Sequence, residues 1–231
     1  MIEVSSYIEN LVNSIDNTIA GKWSNDDQVT YVPCGDFKWL RVGKTFTNDA
    51  GTVFICTEIN EQAKYIKSKK VNLSDSGIAD GILYINQPLF KFGTKIATNN
   101  EWTLIGPNVT AKTPLFWLLD NLEITRGGRM SNIDFECDLR FFIIDETDVV
   151  NYYVKDHVQN VVVPMSKLAD EFMDLIKSIT SIIPVETYIV KHFTRFGVET
   201  QNGFVANILD ANLSGVELRF KITKLKENCK C

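Results

Sequence analysis

Ile133-Asp134-Phe135-Glu136-Cys137-Asp138-Leu139-Arg140-Phe141-Phe142-Ile143-Ile144 is the stretch whose reading decides the fold. Side chains alternate across a strand, so Ile133, Phe135, Cys137, Leu139, Phe141 and Ile143 share one face. Asp134, Glu136, Asp138 and Arg140 share the other. At Phe142 and Ile144 the second face also turns apolar, which predicts a strand covered on both sides at that end. Partners are legible on either side of it. Pro114 opens the apolar run Leu115-Phe116-Trp117-Leu118-Leu119. Glu186 to Phe196 reads as a strand. So does Val216 to Thr223, where Val216, Leu218, Phe220 and Ile222 face in, opposite Glu217, Arg219, Lys221 and Thr223. Leu213-Ser214-Gly215 reads as the tight entry to it.

Between these strands the period changes. Asp148 is placed to cap a helix in which Val150, Tyr153, Val154, His157, Val158 and Val161 keep helical spacing. Pro164 interrupts it and suits the first turn of a second helix. That second helix has the stripe Leu168, Phe172, Leu175, Ile176, Ile179. Upstream, Arg126-Gly127-Gly128-Arg129 reads as a flexible cationic tip.

At the start of the chain Val4, Ile8, Leu11, Val12, Ile15 and Ile19 recur at three- and four-residue steps, an amphipathic helix with Gly21 placed to end it. From Val29 to Asn108 helical periodicity is absent. Short strands are predicted at Gln28 to Val32, Thr52 to Ile59 and Gly81 to Ile85, with turns at Asn48-Asp49-Ala50-Gly51 and Asp75-Ser76-Gly77. The expected fold class is therefore α+β: an antiparallel sheet flanked by helices, with an inserted small all-β module. The expected divisions are an N-terminal helix of the core over 1–28, a β-rich insertion over 29–110, and a core of two helices and four strands over 111–231.

Composition bounds the function. Hydrophobic residues make up 45% and charged residues 23% of the 231, ordinary for a globular chain, and the net charge is -5. An acidic chain is a poor coat for nucleic acid, although Lys64, Lys67, Lys69 and Lys70 form a local cationic run on an expected solvated hairpin. Five widely spaced cysteines, Cys34, Cys56, Cys137, Cys229 and Cys231, do not form a disulfide framework. With no secretory leader at Met1-Ile2-Glu3-Val4 and no apolar run of spanning length, the expectation is a protein made in a reducing cytoplasm with no membrane partner.

Motifs of chemistry fail one by one, and no catalytic, cofactor-binding or metal-ligating residue is assigned. His157 and His192 each lack a second ligand at metal spacing. Val42-Gly43-Lys44-Thr45 has the end of a phosphate loop without its earlier glycine, and a turn follows where a helix should. Asp134, Glu136 and Asp138 read as a solvated strand face, with a subunit contact or a weak divalent-ion site as alternatives. The residues singled out are interface candidates: Trp23, Trp39, Phe90 and Phe92, aromatics among glycines and charges, with Arg126 and Arg129 at the cationic tip.

Asn86-Gln87-Pro88-Leu89-Phe90-Lys91-Phe92-Gly93-Thr94-Lys95-Ile96-Ala97-Thr98-Asn99-Asn100-Glu101-Trp102, followed by Lys112-Thr113-Pro114-Leu115-Phe116-Trp117-Leu118-Leu119, resembles structural proteins of tailed phages and prophages of Bacteroides-type bacteria. The later part, from Ile133 to Ile144 through Pro164 to Leu213-Ser214-Gly215-Val216, looks like the core of tail terminator and head–tail connector proteins. That resemblance implies a tail terminator-like fold, a homo-oligomeric ring at the virion neck or tail top, and no enzymatic activity or cofactor. Portal, adaptor or tail proteins would be its neighbours, and DNA would pass through the lumen. The alternative is a carbohydrate- or receptor-binding β module on the particle, resting on Trp39, Trp102, Phe90 and Phe92. An enzyme built from scattered carboxylates is the third reading.

Overall fold

In a computed structural model the described residues are 2–24, 29–72, 78–106, 108–109, 112–128, 131–199 and 205–226. The chain divides into two compact units, Asp16–Gln87 and the remainder, which joins Met1–Ile15 to Pro88–Cys231.

The smaller unit is a closed antiparallel barrel. Its strands are β1 (Thr18–Ser24), β2 (Val29–Tyr31), β3 (Thr45–Asn48), β4 (Val53–Asn60), β5 (Tyr65–Lys70) and β6 (Gly81–Ile85). They close in the order β1-β2-β5-β4-β3-β6, with β1 pairing back onto β6. Ile19, Val29, Phe46, Phe54, Ile66 and Leu83 fill the interior, and closure leaves no edge to protect. The hairpin predicted at Asn48–Gly51 is present, closed by the Gly51 amide donating to the Asn48 carbonyl at 2.9 Å.

Two sequence expectations change here. The first helix, α1 (Ile2–Asn13), stops before Ile19 and Gly21, which lie in β1. Ile19 continues the helical spacing by coincidence, because it is also an inward position of a strand. Gly21 does not end a helix. A Cβ there would lie 2.6 Å from Thr30 Cγ2, so the residue permits the close approach of β2. The expectation for Asp75-Ser76-Gly77 and for Gln28 lies outside the described residues.

The larger unit is a mixed sheet in the order β11-β14-β10-β8-β7, with β9 also on β10. These are β7 (Leu89–Gly93), β8 (Leu115–Leu119), β9 (Ile124–Arg126), β10 (Ile133–Glu146), β11 (Ile189–Phe193) and β14 (Leu213–Leu225); a separate short pair, β12 (Val198–Glu199) and β13 (Val205–Ala206), precedes β14. Strand β10 pairs with β14 along its length, and its burial alternates as read from the sequence until both faces close at Ile143 and Ile144. β7 runs parallel to β8, which requires a crossover. Helix α2 (Lys95–Leu104) supplies it. No helix was expected in that stretch, because only Thr98 and Trp102 are buried and no apolar stripe forms. Its start is marked by Thr94, whose hydroxyl accepts from the Ala97 amide at 3.2 Å.

The third helix, α3, runs Val154–His157, widens to a π turn over Val158–Val162 and continues as Val163–Ser178. Two helices were expected here, broken at Pro164. The proline has no N–H for the carbonyl four residues earlier and its ring crowds that carbonyl. The π turn widens the backbone just before it, so the helix passes through unbroken. Leu168, Phe172 and Ile176 are buried as their spacing predicted, but Leu175 is only half-buried. Phe172 meets Phe116 and Phe141, while Tyr7 of α1 packs edge-on against Phe135.

The fold class differs from the expectation. Among the described residues 40% are in strands and 23% in three helices, and a closed six-stranded antiparallel barrel is present. The chain is mostly β and is not a helix-flanked α+β sheet of the tail terminator type. The reason is long-range: β1 leaves the expected helix to close the barrel with β6. Leu213-Ser214-Gly215, expected as the tight entry to the last strand, opens β14 itself, with Ser214 and Gly215 paired to Asp145 and Ile144.

Candidate functional site

The most unusual surface of the larger unit lies where β10 hands over to α3. Asp148 does not cap that helix, as its position suggested; Tyr153 precedes the first helical residue and its amide donates to Asp156 Oδ2 at 2.9 Å. Asp148 instead ties a turn. Its Oδ1 accepts from the amides of Val150 and Asn151 at 2.9 and 3.0 Å, and its Oδ2 from Asn151 Nδ2 at 2.7 Å. At the base, Thr147 Oγ1 and His157 Nδ1 lie 2.6 Å apart, and Tyr152 packs edge-on against the His157 ring. The result is a fixed knuckle that presents Val150, Tyr153 and Val154 to solvent at 86%, 82% and 70% exposure.

Hydrogen bonds from Asn151 and from the Asn151 and Val150 amides hold the Asp148 carboxyl below its ordinary value near 3.8. A carboxylate depressed in the folded state contributes order that is full above its ordinary value and is lost as the pH falls through the depressed one. The Val150 and Asn151 amide resonances are therefore expected to collapse toward random-coil positions in that acid range. Asp148→Ala is expected to give the same collapse at neutral pH.

Beside the knuckle, the π turn and the end of β11 enclose an open groove of about 340 Å³ lined by Val158, Val162, His192, Phe193, Thr194 and Arg195. Arg195 is exposed and makes no ion pair among the described residues. Ser166 Oγ and His192 Nε2 are 3.2 Å apart at its border, and Tyr188 donates to Asp170 one turn further along α3. The other ring nitrogen of His192 has no hydrogen bond among the described residues. A serine–imidazole contact without a third group to orient the ring lacks the geometry of an activated nucleophile.

The acidic row on β10 is answered from β14. Glu136 receives Lys221 and Thr223 at 3.1 and 3.3 Å, Asp134 lies 3.7 Å from Lys224, and Glu217 is buried between Arg140 and Arg219. Among the described residues no three His, Cys, Asp or Glu side chains group so as to hold a metal ion. Burial pushes the Cys56 thiol up to about 12 and the Cys137 thiol up to about 11, so neither supplies a thiolate near neutral pH. Gly43 and Lys44 bond through their backbone to Cys56 beside β3, away from any helix start.

The interface candidates scatter. Trp39 is buried in the barrel unit, its Nε1 donating to the Asn86 carbonyl at 3.2 Å, and Trp23 is half-buried in β1. Phe90 is buried and Phe92 half-buried in β7. Arg126 is exposed at the end of β9, and Arg129 lies outside the described residues. Trp102 is also buried, with the Lys112 ammonium 4.6 Å above its ring. Of the residues on which the alternative β-module reading rests, Trp39, Trp102 and Phe90 are buried and Phe92 is half-buried: glycine and charge neighbours in sequence did not forecast exposure in space. In sequence the knuckle is hidden because Val150, Tyr153 and Val154 fit a helical stripe. The signal available was Asp148 three residues before Asn151, an Asx-turn pattern that keeps the chain out of a helix.

Comparison with protein-family models and with curated proteins gives no match to this chain. What the geometry defines is a class of surface: a fixed apolar projection beside a basic-rimmed apolar groove, carried by a mixed sheet.

Proposed function

We propose that this chain is a structural protein of a tailed-phage particle, located at the neck or tail top, where identical copies form a ring joining head to tail. The observation that carries the assembly reading is the knuckle. Three large apolar side chains exposed on a segment that four hydrogen bonds and one ring contact hold in place form a contact surface rather than a mobile loop. The phage reading rests on the resemblance of Phe90 to Thr98 and Thr113-Pro114, segments that build β7, open α2 and lead into β8. A net charge of -5 suits a lumen past which DNA slides without sticking. Density for the intact particle is expected to place the chain in a closed ring between portal and tail. A chain absent from purified particles would overturn the reading.

A further inference from the structure

The knuckle and the groove are complementary in both shape class and charge. Apolar Val150, Tyr153 and Val154 are flanked by the carboxylates of Asp148 and Asp156. Apolar Val158, Val162 and Phe193 line the recess together with the exposed Arg195 and His192. Both features belong to the first turns of α3 and what packs on them. One chain therefore presents a projection whose rim carries Asp148, Asp156 and the exposed Lys155, negative in sum, and a recess whose rim carries Arg195.

Strand addition at the sheet edges is less suited to joining copies. Two β11 strands paired about their own centre would set Lys191 against Lys191, and β11 continued onto β7 of the next copy in full register would set Lys191 against Lys91. Like charges directly opposite oppose pairing, and edge lysines are a common guard against it.

We infer that the knuckle of one copy docks in the π-turn groove of the next, Tyr153 and Val154 entering beside Val158 and Val162 with Asp148 and Asp156 toward Arg195. This inference rests on the assembly reading above and names its contact. A projection and a recess at different places on one chain make a heterologous contact, which repeats from copy to copy and closes when the rotation allows. Burying an aromatic anchor with a paired charge at its rim concentrates the binding energy in few residues.

The test uses the full-length chain and two variants. Tyr153→Asp disables the knuckle and leaves its backbone turn, since Tyr153 contributes its amide to that turn. Arg195→Glu reverses the rim of the groove. Both residues are exposed, and unchanged near-ultraviolet circular dichroism checks the fold. By light scattering the wild-type chain is expected to self-associate, and each variant to lose at least about thirtyfold in association constant. An equimolar mixture of the two variants is expected to form a complex of two chains and nothing larger, because one intact knuckle meets one intact groove. The contact is overturned if either variant associates as the wild type does, if the mixture stays monomeric, or if the wild type does not associate. Particle density decides the parent reading separately: a ring joined through some other surface would sink this contact and leave the assembly reading standing.

Discussion

Gly215→Ala should lower the unfolding free energy of the larger unit by roughly 4 kcal/mol, more than any surface change in the chain. Gly215 sits in β14 between β10 and β11, paired with Ile144 on one side and Phe193 on the other. A Cβ at that position would lie 2.1 Å from the Ile143 carbonyl oxygen and 2.9 Å from Ile144 Cα. Both are backbone atoms of the central strand, so no side chain can swing away to relieve the contact. The φ of +155° adds a conformation that side chains with a Cβ rarely adopt. Relief requires β14 to part from β10 locally, at the point where the sheet is covered on both faces. Hydrogen exchange is the direct readout: amides of Ile143 to Asp145 should exchange orders of magnitude faster, in proportion to the lost free energy. Protection equal to the wild type would show that the ladder accommodates a methyl group, against the geometry.

Phe141→Ala should cost about 3–5 kcal/mol, and Phe141→Leu about 1–2. Phe141 is fully buried on β10, with its ring stacked on Phe220 at 6.0 Å and edge-on to Phe116 and Phe172 at 6.1 and 5.5 Å. It is thus the common neighbour of β14, β8 and α3. Truncation removes contacts to three elements at once, and aromatic rings held by other elements cannot all collapse into the space. Urea denaturation followed through the buried Trp117 reads the loss. A shift in midpoint smaller than that of Phe220→Ala, whose side chain is 6% exposed, would contradict the ranking.

Both positions were visible in the sequence to different degrees, and the difference is instructive. Phe141 was legible because period-two alternation is a local property of Ile133 to Ile144, and burial follows it. Gly215 was visible as a glycine at the entry to the strand, but its role depends on how near Ile143 comes across the sheet. The same division separates the rest. Leu168, Phe172 and Ile176 follow helical spacing and are buried. Closure of the barrel depends on Thr18 to Gly21 meeting Gly81 to Tyr84, a pairing across some sixty residues that no window contains. Ile19 satisfied two periods at once, and the strand prevailed through the pairing of Thr18 to Gly21 with Gly81 to Tyr84. Helix α2 had its cap residue, Thr94, in plain view but no stripe to announce it. For the candidate surface, burial of Trp39 and Phe90 is decided by neighbours from other strands, which no local window of sequence contains. Val150, Tyr153 and Val154 keep helical spacing, but their exposure follows from the turn that Asp148 ties.

The pairing of β1 with β6 has a consequence for the order in which the chain assembles. The barrel begins and ends at adjacent strands, and Asn17 fastens the seam: its carbonyl accepts from the Ile85 amide at 2.9 Å and its Nδ2 donates to the Ile85 carbonyl at 2.8 Å. For α1 to reach β7, an unfolded Asp16–Gln87 would have to be closed as one long loop. Once the barrel has formed, the same closure spans only a few residues, a saving of about 2 kcal/mol in chain entropy. The barrel therefore serves as a clasp that returns the N-terminal helix to the strand it packs against, whatever else it binds.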